Sequence, residues 1–444
     1  QSMICARRLT GAWKLARYAL PINLAANQVC LMANSRNQPS LLSVDAALNR
    51  ILASLSPTMP TRLLLTDALG QILAENIHAK LTLPPHDVSA MDGYAVRAED
   101  ISKTPVELQV VGYAPAGGSY ETSLNAGEAV RIFTGAPVPF GANTIIIQEN
   151  TKQIGEIVSI NESAKIGSYI RPAGLDFSED DILISAGTRM TARHVGLMAA
   201  MNVPWMMAHR RPRVAILATG DEIVMPGDPI GQNQIVSSNA IALSAFVKAM
   251  GGEPVLLGIA PDDRDALRQI ASGIVGNDVL VTTGGASVGD HDLVQDVLSD
   301  RGMNIDFWRI AMRPGKPLMF GEIDRIPVLG LPGNPVSSLV CAMIFLRPAL
   351  AKMQGLQKIQ HDIHQMISAS DLPENDQRQD YLRAMIENDE SKGETIRVFS
   401  EQDSSMMATL TNSDALIIRK PHAPALKAGE SVDVLKMPNG IYSG

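Results

Sequence analysis

The chain is expected to be a multidomain α/β protein, and three patterns in its sequence lead there. Between residues 212 and 353, short apolar runs alternate with amphipathic stretches, as in a mostly parallel sheet covered by helices on both faces. From Val88 to about Asp181, short β-type runs are separated by Gly, Pro and Asn, which describes a compact β-rich domain. From about Gln357 onward the β periodicity returns, as in a small barrel or sandwich.

The elements follow in order. Leu41 to Leu55 has helical spacing of Leu42, Ala46, Leu48, Ile51, Leu52 and Leu55, and reads as one helix. Asp67 to Ile77 reads as a second, short helix that ends before the proline-containing stretch Leu81 to Asp87. Val106 to Val111, Ala129 to Phe133, Thr144 to Gln148 and Glu156 to Ile160 read as strands. Thr191 to Met201 is helical and is closed by Val203-Pro204. In the α/β region, strands are predicted at Val214–Ala218, Val255–Ile259, Val279–Thr283 and Val328–Leu331. Helices are predicted at Asn239–Met250, Asp263–Val275 and Pro335–Met353. The last strands are Tyr381–Ile386, Thr395–Phe399, Ala415–Ile418 and Ser431–Leu435.

Composition narrows the function. With 444 residues there is room for roughly three domains of about 150 each, and 45% hydrophobic residues can fill their cores. A net charge of −8 argues against a general surface for nucleic acid or anionic membrane. Cys5, Cys30 and Cys341 form no CxxC pair and no Cys/His cluster, which suggests neither a disulfide framework nor structural zinc and fits a reducing cytoplasm. No apolar run long enough to span a bilayer stands out. Residues 1–40 are basic and have no acidic residue; a transit peptide is one reading, and a disordered extension is the favoured one.

Against this acidic background, positive charge gathers at Trp308-Arg309-Ile310-Ala311-Met312-Arg313-Pro314-Gly315-Lys316-Pro317. Shortly after comes Leu331-Pro332-Gly333-Asn334-Pro335-Val336-Ser337-Ser338, with Asn334 and Pro335 at a helix start and hydroxyls in its first turn. Cations around a Pro-Gly turn beside a helix N-terminus describe an oxyanion pocket. Three turns (Thr219-Gly220, Gly284-Gly285 and Pro332-Gly333) each follow a strand, where ligands sit in such sheets. Asp221 and Glu222 stand at one strand end, and Asp290, His291 and Asp292 follow the glycine turn. Carboxylates beside an anion site suggest a bridging Mg²⁺ and a phosphate-bearing substrate. Simpler readings exist for each part: Asp221 as a cap, His291 as a turn residue, the glycines as tight turns. The turn Thr283-Gly284-Gly285-Ala286-Ser287 is neither a Walker loop nor a dinucleotide fingerprint.

Six motifs in sequence order then resemble one family. They are Ser-Ala-Met-Asp-Gly-Tyr-Ala at 89–95, Thr-Gly-Ala-Pro at 134–137, Thr-Gly-Asp-Glu at 219–222, Gly-Gly-Ala-Ser-Val-Gly at 284–289, Pro-Gly-Lys-Pro at 314–317 and Leu-Pro-Gly-Asn-Pro-Val-Ser at 331–337. The chain resembles the molybdopterin molybdenumtransferases, the family of MoeA and the E domain of gephyrin, over roughly residues 40 to 440.

The resemblance implies insertion of molybdate into adenylylated molybdopterin, release of AMP and a need for Mg²⁺. It implies a three-layer α/β domain of molybdopterin-binding type at 206–353, with the N-terminal helix at 41–58 packed on it. It further implies a small linker domain at 59–78 and 181–205, a β-rich insertion domain at 79–180 and a C-terminal β-barrel-like domain at 357–440. It implies a cytoplasmic homodimer, with the pterin adenylyltransferase and molybdoenzyme maturation proteins as partners. Asp92, Thr134 and Asp176 would face the cleft from one subunit, and Glu222, Asp262 and Asp292 from the other, with Glu222 and Asp292 holding the metal. Ser287, Arg309, Arg313, Lys316, Pro317, Ser337, Arg383 and Ser404 would bind molybdate and the pterin and adenylate groups.

Two departures accompany the match. Arg309 and Arg313 stand where bacterial members often carry lysine, and a planar guanidinium is not equivalent to an ammonium. Leu175 precedes Asp176 at a place that is commonly acidic. The alternatives are the related pterin adenylyltransferase, which the Asp92 and Thr134 motifs argue against, and a non-catalytic scaffold like gephyrin.

Overall fold

In the computed structural model, which describes residues 41–261, 263–284, 293–300, 302–389 and 393–438, the α/β region is organised by one six-stranded sheet. Its order is Glu253–Ala260, Arg213–Thr219, Val279–Thr283, Ile326–Leu331, Met319–Ile323 and Asn304–Trp308. The first four strands are parallel. The last two complete the sheet as antiparallel neighbours. Every residue of Val279–Thr283 is buried, and so is every residue of Arg213–Thr219 after the first.

Such unbroken apolar runs are what a parallel sheet covered on both faces requires, since successive side chains point to opposite sides. Val214, Ile216, Ala218, Val281 and Leu329 face one core. That core also takes in Val44, Ala47 and Ile51 from the helix Val44–Ala53, Leu243 and Val247 from Asn239–Ala249, and the helix Pro335–Met353. Ala215, Leu217, Leu280 and Val328 face the other core with Val297 and Leu298. Three layers result.

The 19-residue Pro335–Met353 helix starts with Pro335 in its first turn and contains a π-helical turn at Ala342–Leu346. By length and composition it could cross a membrane, which corrects the sequence expectation that no such run exists. Arg347, Lys352 and two serines interrupt the run to the eye, yet the average stays apolar. Of its apolar window, 78% is buried inside the protein, so the apolarity is that of a core helix.

Ahead of this domain, a six-stranded sheet runs Thr144–Ile147, Gly93–Val96, Glu128–Ile132, Val106–Ala114, Ile157–Ile160, Thr151–Ile154. It packs a small core on each face. The three-stranded sheet Pro60–Leu64, Trp205–His209, Ile72–Leu73 and the helix Ala192–Ala200 form a separate cluster. Thr191 caps that helix in a reciprocal box with His194. The helix expected at Asp67–Ile77 is absent: a short 3₁₀ turn at Leu65–Asp67 gives way to the strand Ile72–Leu73. Gly70 takes φ of 76°, which breaks a helix, and Leu73 is fully buried in the sheet.

The C-terminal strands Gln379–Asp389, Gly393–Val398, Ile363–Ser368, Ser431–Lys436 and Ala415–Arg419 pair in that order, and the last closes on the first as a five-stranded barrel. Ile363–Ser368 was missed in the sequence because only its final residues alternate toward the core. Met312–Arg313 extends the barrel sheet beside Gln379 and Asp380, which ties the Pro-Gly-Lys-Pro turn to the barrel.

Leu350 is fully buried in the core beneath the Pro335–Met353 helix. Leu350→Ala is expected to destabilise the chain by about 2–5 kcal/mol, read from denaturant unfolding.

Candidate functional site

Parallel strands of the α/β sheet end at Thr219, Ala260, Thr283 and Leu331, and polar groups collect there. Asn239, the first residue of its helix, donates from Nδ2 to Thr283 Oγ1 at 2.9 Å and to the Gly333 carbonyl at 2.7 Å. Thr219 is buried and its Oγ1 has no hydrogen-bond partner among the described residues. Ser337 and Ser338 are buried in the first turn of the Pro335 helix, and Ser338 Oγ is likewise unpartnered among the described residues. The barrel reaches this helix end: the Val336 amide donates to the Ser404 carbonyl at 3.1 Å, and Asn334 Nδ2 donates to Ser404 Oγ at 2.6 Å. Ser404 therefore stands beside Ser337.

The 308–317 segment closes on itself through Arg309 N to Leu318 O at 2.9 Å and Ile310 N to Lys316 O at 3.0 Å. Arg309 has φ of 75°, and its guanidinium lies 4.5 Å from the centre of the Trp308 ring. Its Nε is buried without a hydrogen-bond partner, and it makes no ion pair among the described residues. Lys316 is exposed and likewise makes no ion pair among them, next to half-buried Pro317. Gly315 is held at φ of 116°, where a Cβ would come within 2.5 Å of Cys341 Sγ. Only glycine leaves that turn and the buried thiol undisturbed.

Arg313 differs from its two neighbours. Its guanidinium bonds Asp380, lies 3.4 Å from Asp376 and donates to Asn375 at 3.4 Å. Its charge is therefore met by barrel carboxylates. Burial pushes the Asp380 carboxyl up, against the lowering effect of Arg313. The Arg378 guanidinium, donating to Asp376 at 2.6 Å, pulls the Asp376 carboxyl down to about 2.

Arg383 is likewise engaged by the protein itself. It is 1% exposed, the largest fully buried side chain among the described residues. It donates to Gln402 Oε1 at 3.4 Å, the Met406 carbonyl at 3.1 Å and the Glu401 carbonyl at 3.3 Å. A guanidinium enclosed by these acceptors shapes the 401–406 loop that carries Ser404.

Glu222 is exposed, with no side-chain hydrogen bond or ion pair among the described residues. Its carboxylate lies back over Gly220, where an added Cβ would meet Oε2 at 2.3 Å. Among the described residues, no three His, Cys, Asp or Glu side chains cluster to hold a metal. One carboxylate completed by substrate phosphate is still a donor set that Mg²⁺ accepts. Asp262, Ser287 and Asp292 lie outside the described residues.

Asp92 and Thr134 form a separate group on the β-rich sheet. Asp92 Oδ1 accepts from the Thr134 amide and hydroxyl, both at 2.8 Å. These bonds, with Arg131 contributing a smaller attraction, hold the carboxyl below its ordinary range and leave Oδ2 unengaged. Asp176 is exposed, with its amide bonded to the Leu83 carbonyl at 3.0 Å. Among the described residues, no hydrogen bond or ion pair joins Asp92, Thr134 or Asp176 to the strand-end group. The structure thus brings Arg309, Lys316, Pro317, Ser337 and Ser404 into the region of the strand ends and leaves this second group apart. Sequence reasoning missed Asn239, Asp376 and Asp380; Asn239 opens a predicted helix, but nothing in its neighbourhood says that it reaches two strand ends.

Comparison with known proteins covers the same span. The family model described as the MoeA N-terminal region (domain I and II) matches residues 42–202. A probable molybdopterin binding domain matches 215–352, and the MoeA C-terminal region (domain IV) matches 365–437. A molybdopterin molybdenumtransferase from a Nostoc species is 36% identical over 380 residues, 84% of this chain and 87% of that protein. One from Haemophilus influenzae is 31% identical over 398 residues, 89% of this chain and 98% of its own. A crystal structure of the molybdopterin biosynthesis MoeA protein of Pyrococcus horikoshii superposes with a TM-score of 0.79 at 28% identity, covering 89% of this chain and 99% of that one.

Gly315→Ala is expected to cost about 2–4 kcal/mol from overpacking and backbone strain together, with Cys341→Ala restoring the packing part in the double variant. A second outcome concerns acid. Asp376 has a folded pKa lowered from 3.8 to about 2, so its contribution is complete above pH 3.8 and disappears as pH falls through about 2. Urea unfolding at stepped pH should therefore show the native chain and Asp376→Asn furthest apart above pH 3.8 and converging near pH 2.

Proposed function

Because the chain belongs to the molybdopterin molybdenumtransferase (MoeA) family, a family of molybdenum cofactor biosynthesis, we propose that it inserts molybdate into adenylylated molybdopterin and releases AMP. The observation that carries this reading is a pair of cations, Arg309 and Lys316, that make no ion pair among the described residues and stand on a closed turn near the helix start that holds Ser337. Molybdate is a tetrahedral dianion. Guanidinium and ammonium donors, backbone N–H groups at a helix start and strand-end hydroxyls suit its four oxygens and those of the adenylate phosphates.

The division of labour follows from the partners of each side chain. Lys316 supplies a mobile point charge for the oxyanion. Arg309 is oriented by stacking on Trp308 and offers its unpartnered Nε. Ser337 and Ser404 contribute hydroxyls. Thr219 Oγ1 and Asn239 line the strand ends where the pterin end of the substrate would lie. Arg313 and Arg383 hold the barrel and its 401–406 loop in place rather than touching substrate.

Glu222, with Asp292, would hold Mg²⁺, which when bound neutralises charge on the phosphate as the anhydride bond to AMP breaks. The dithiolene sulfurs come from the pterin, and Cys341 is buried in the core. Asp92 stays ionised at neutral pH and presents one free oxygen, a group suited to orienting a reacting water or hydroxyl. Since it lies on a different sheet from the cations, a homodimer in which one subunit's β-rich sheet faces the other's strand ends would complete the site. The pterin adenylyltransferase is the natural donor of the adenylylated substrate, and molybdoenzyme maturation proteins are the natural acceptors of the product.

Purified protein given adenylylated molybdopterin should release AMP only when molybdate and Mg²⁺ are both added; binding without molybdate-dependent release would overturn the reading. Lys316→Ala should reduce that release by about 10- to 100-fold through loss of a charge-assisted contact while leaving the unfolding midpoint unchanged.

A further inference from the structure

We propose that Asn239 is a positioning residue of the strand-end site: its amide fixes the Gly333–Asn334 peptide, whose N–H then serves the oxyanion, an inference that rests on the molybdate reading above. Asn239 opens the helix Asn239–Ala249 and is half-buried. From Nδ2 it reaches two other elements. One partner is Thr283 Oγ1 at 2.9 Å, at the end of the strand Val279–Thr283. The other is the Gly333 carbonyl at 2.7 Å, just ahead of the Pro335 helix.

Helix capping does not account for this residue. A capping side chain accepts from a backbone N–H, whereas both bonds of Asn239 to the strand ends are donations. Nor is the orientation of its amide open: a carbonyl only accepts, so the group that faces Gly333 O has to be the NH₂. Its two hydrogens are then committed, one to each partner. Thr283 is 2% exposed, and its hydroxyl donates to the Pro332 carbonyl at a long 3.5 Å, which leaves a lone pair to accept from Asn239.

In a trans peptide the carbonyl and the N–H lie in one plane and point in opposite directions. The Gly333–Asn334 bond is trans. With its carbonyl bound to Asn239, the Asn334 N–H is turned away from the clamp, and it has no hydrogen-bond partner among the described residues. The neighbouring turns are close enough to restrict the peptide further. A Cβ on Gly333 would lie 3.6 Å from Gly284 Cα, and one on Gly284 would come within 2.4 Å of the Thr219 carbonyl. The barrel holds the same residue from another side, since Asn334 Nδ2 donates to Ser404 Oγ at 2.6 Å. Asn334 is therefore fixed through its peptide by the α/β domain and through its side chain by the barrel. A backbone N–H held in this way is a preorganised anion donor beside Ser337.

Molybdate is the probe, and isothermal calorimetry on the full chain the measurement. Asn239→Ala should weaken molybdate binding about tenfold, and Thr283→Val, which removes one of the two acceptors, about threefold. In the double variant the Thr283 change should add little, because the bond it breaks is already gone. Thr283→Ser keeps the hydroxyl and should bind like the parent. None of these substitutions alters charge, so a change in affinity is not an electrostatic side effect. A merely structural role would lower the unfolding midpoint and leave the affinity of the folded variants unchanged. Should Asn239→Ala fail to fold, Thr283→Val against Thr283→Ser decides the matter. Parent-like affinity in Thr283→Val would overturn the inference and leave the transferase reading standing. A parent that binds no molybdate would overturn both.

Discussion

Burial of the Pro335–Met353 helix against the parallel sheet is the constraint on which the strand-end site depends. The helix packs into the same core as Ile216, Val281 and Leu329 and as the N-terminal helix. With its body fixed there, its first turn has to emerge beside the strand ends at Thr219, Thr283 and Leu331. Polar groups at that end are left without partners among the described residues: Thr219 Oγ1 and Ser338 Oγ are enclosed, yet no acceptor or donor among those residues meets them. Apolar packing thus places a set of donors and hydroxyls that are costly to bury without a polar partner.

A second layer of control is polar and comes from the barrel. Met312–Arg313 joins the barrel sheet, Arg313 is met by Asp376 and Asp380, and Ser404 receives bonds from Val336 and Asn334. These contacts divide three superficially similar cations. Arg313 becomes a strut, while Arg309 and Lys316 keep their charge unpaired among the described residues. Arg383 belongs with Arg313: its enclosed guanidinium organises 401–406, and through Ser404 that loop touches the helix start. Opposite carboxylate shifts within the Arg313 cluster, up at Asp380 from burial and down at Asp376 from Arg378, show how closely burial and pairing compete there.

The α/β domain was legible because a strand covered on both faces must be apolar at nearly every position, which is a local signal. The run Val214–Ala218 and the run Val279–Thr283 were therefore found with their ends nearly right. Asp67–Ile77 misled because its apolar spacing fits a helix, whereas its fate was set by pairing with Ala208 and His209, far along the chain. The strand Ile363–Ser368, half exposed, carried too little pattern to be seen. Asp92 and Thr134 could be named from motifs, but their bond joins loops 42 residues apart and has no local trace.

Sequence by itself determined which groups could do chemistry: an acidic chain with a concentrated Arg309–Lys316 turn, strand-end glycines, and hydroxyls at a helix start, in an order shared with one family. Tertiary structure decided which of those groups are free to do it. A guanidinium is the same in the sequence whether it faces solvent, a carboxylate or a shell of carbonyls. Only the approach of the barrel to the sheet pairs Arg313 with carboxylates, encloses Arg383 among carbonyls and leaves Arg309 and Lys316 without an ion pair among the described residues. Partner identity for a charged side chain is a long-range property, set by packing that no short window of residues encodes.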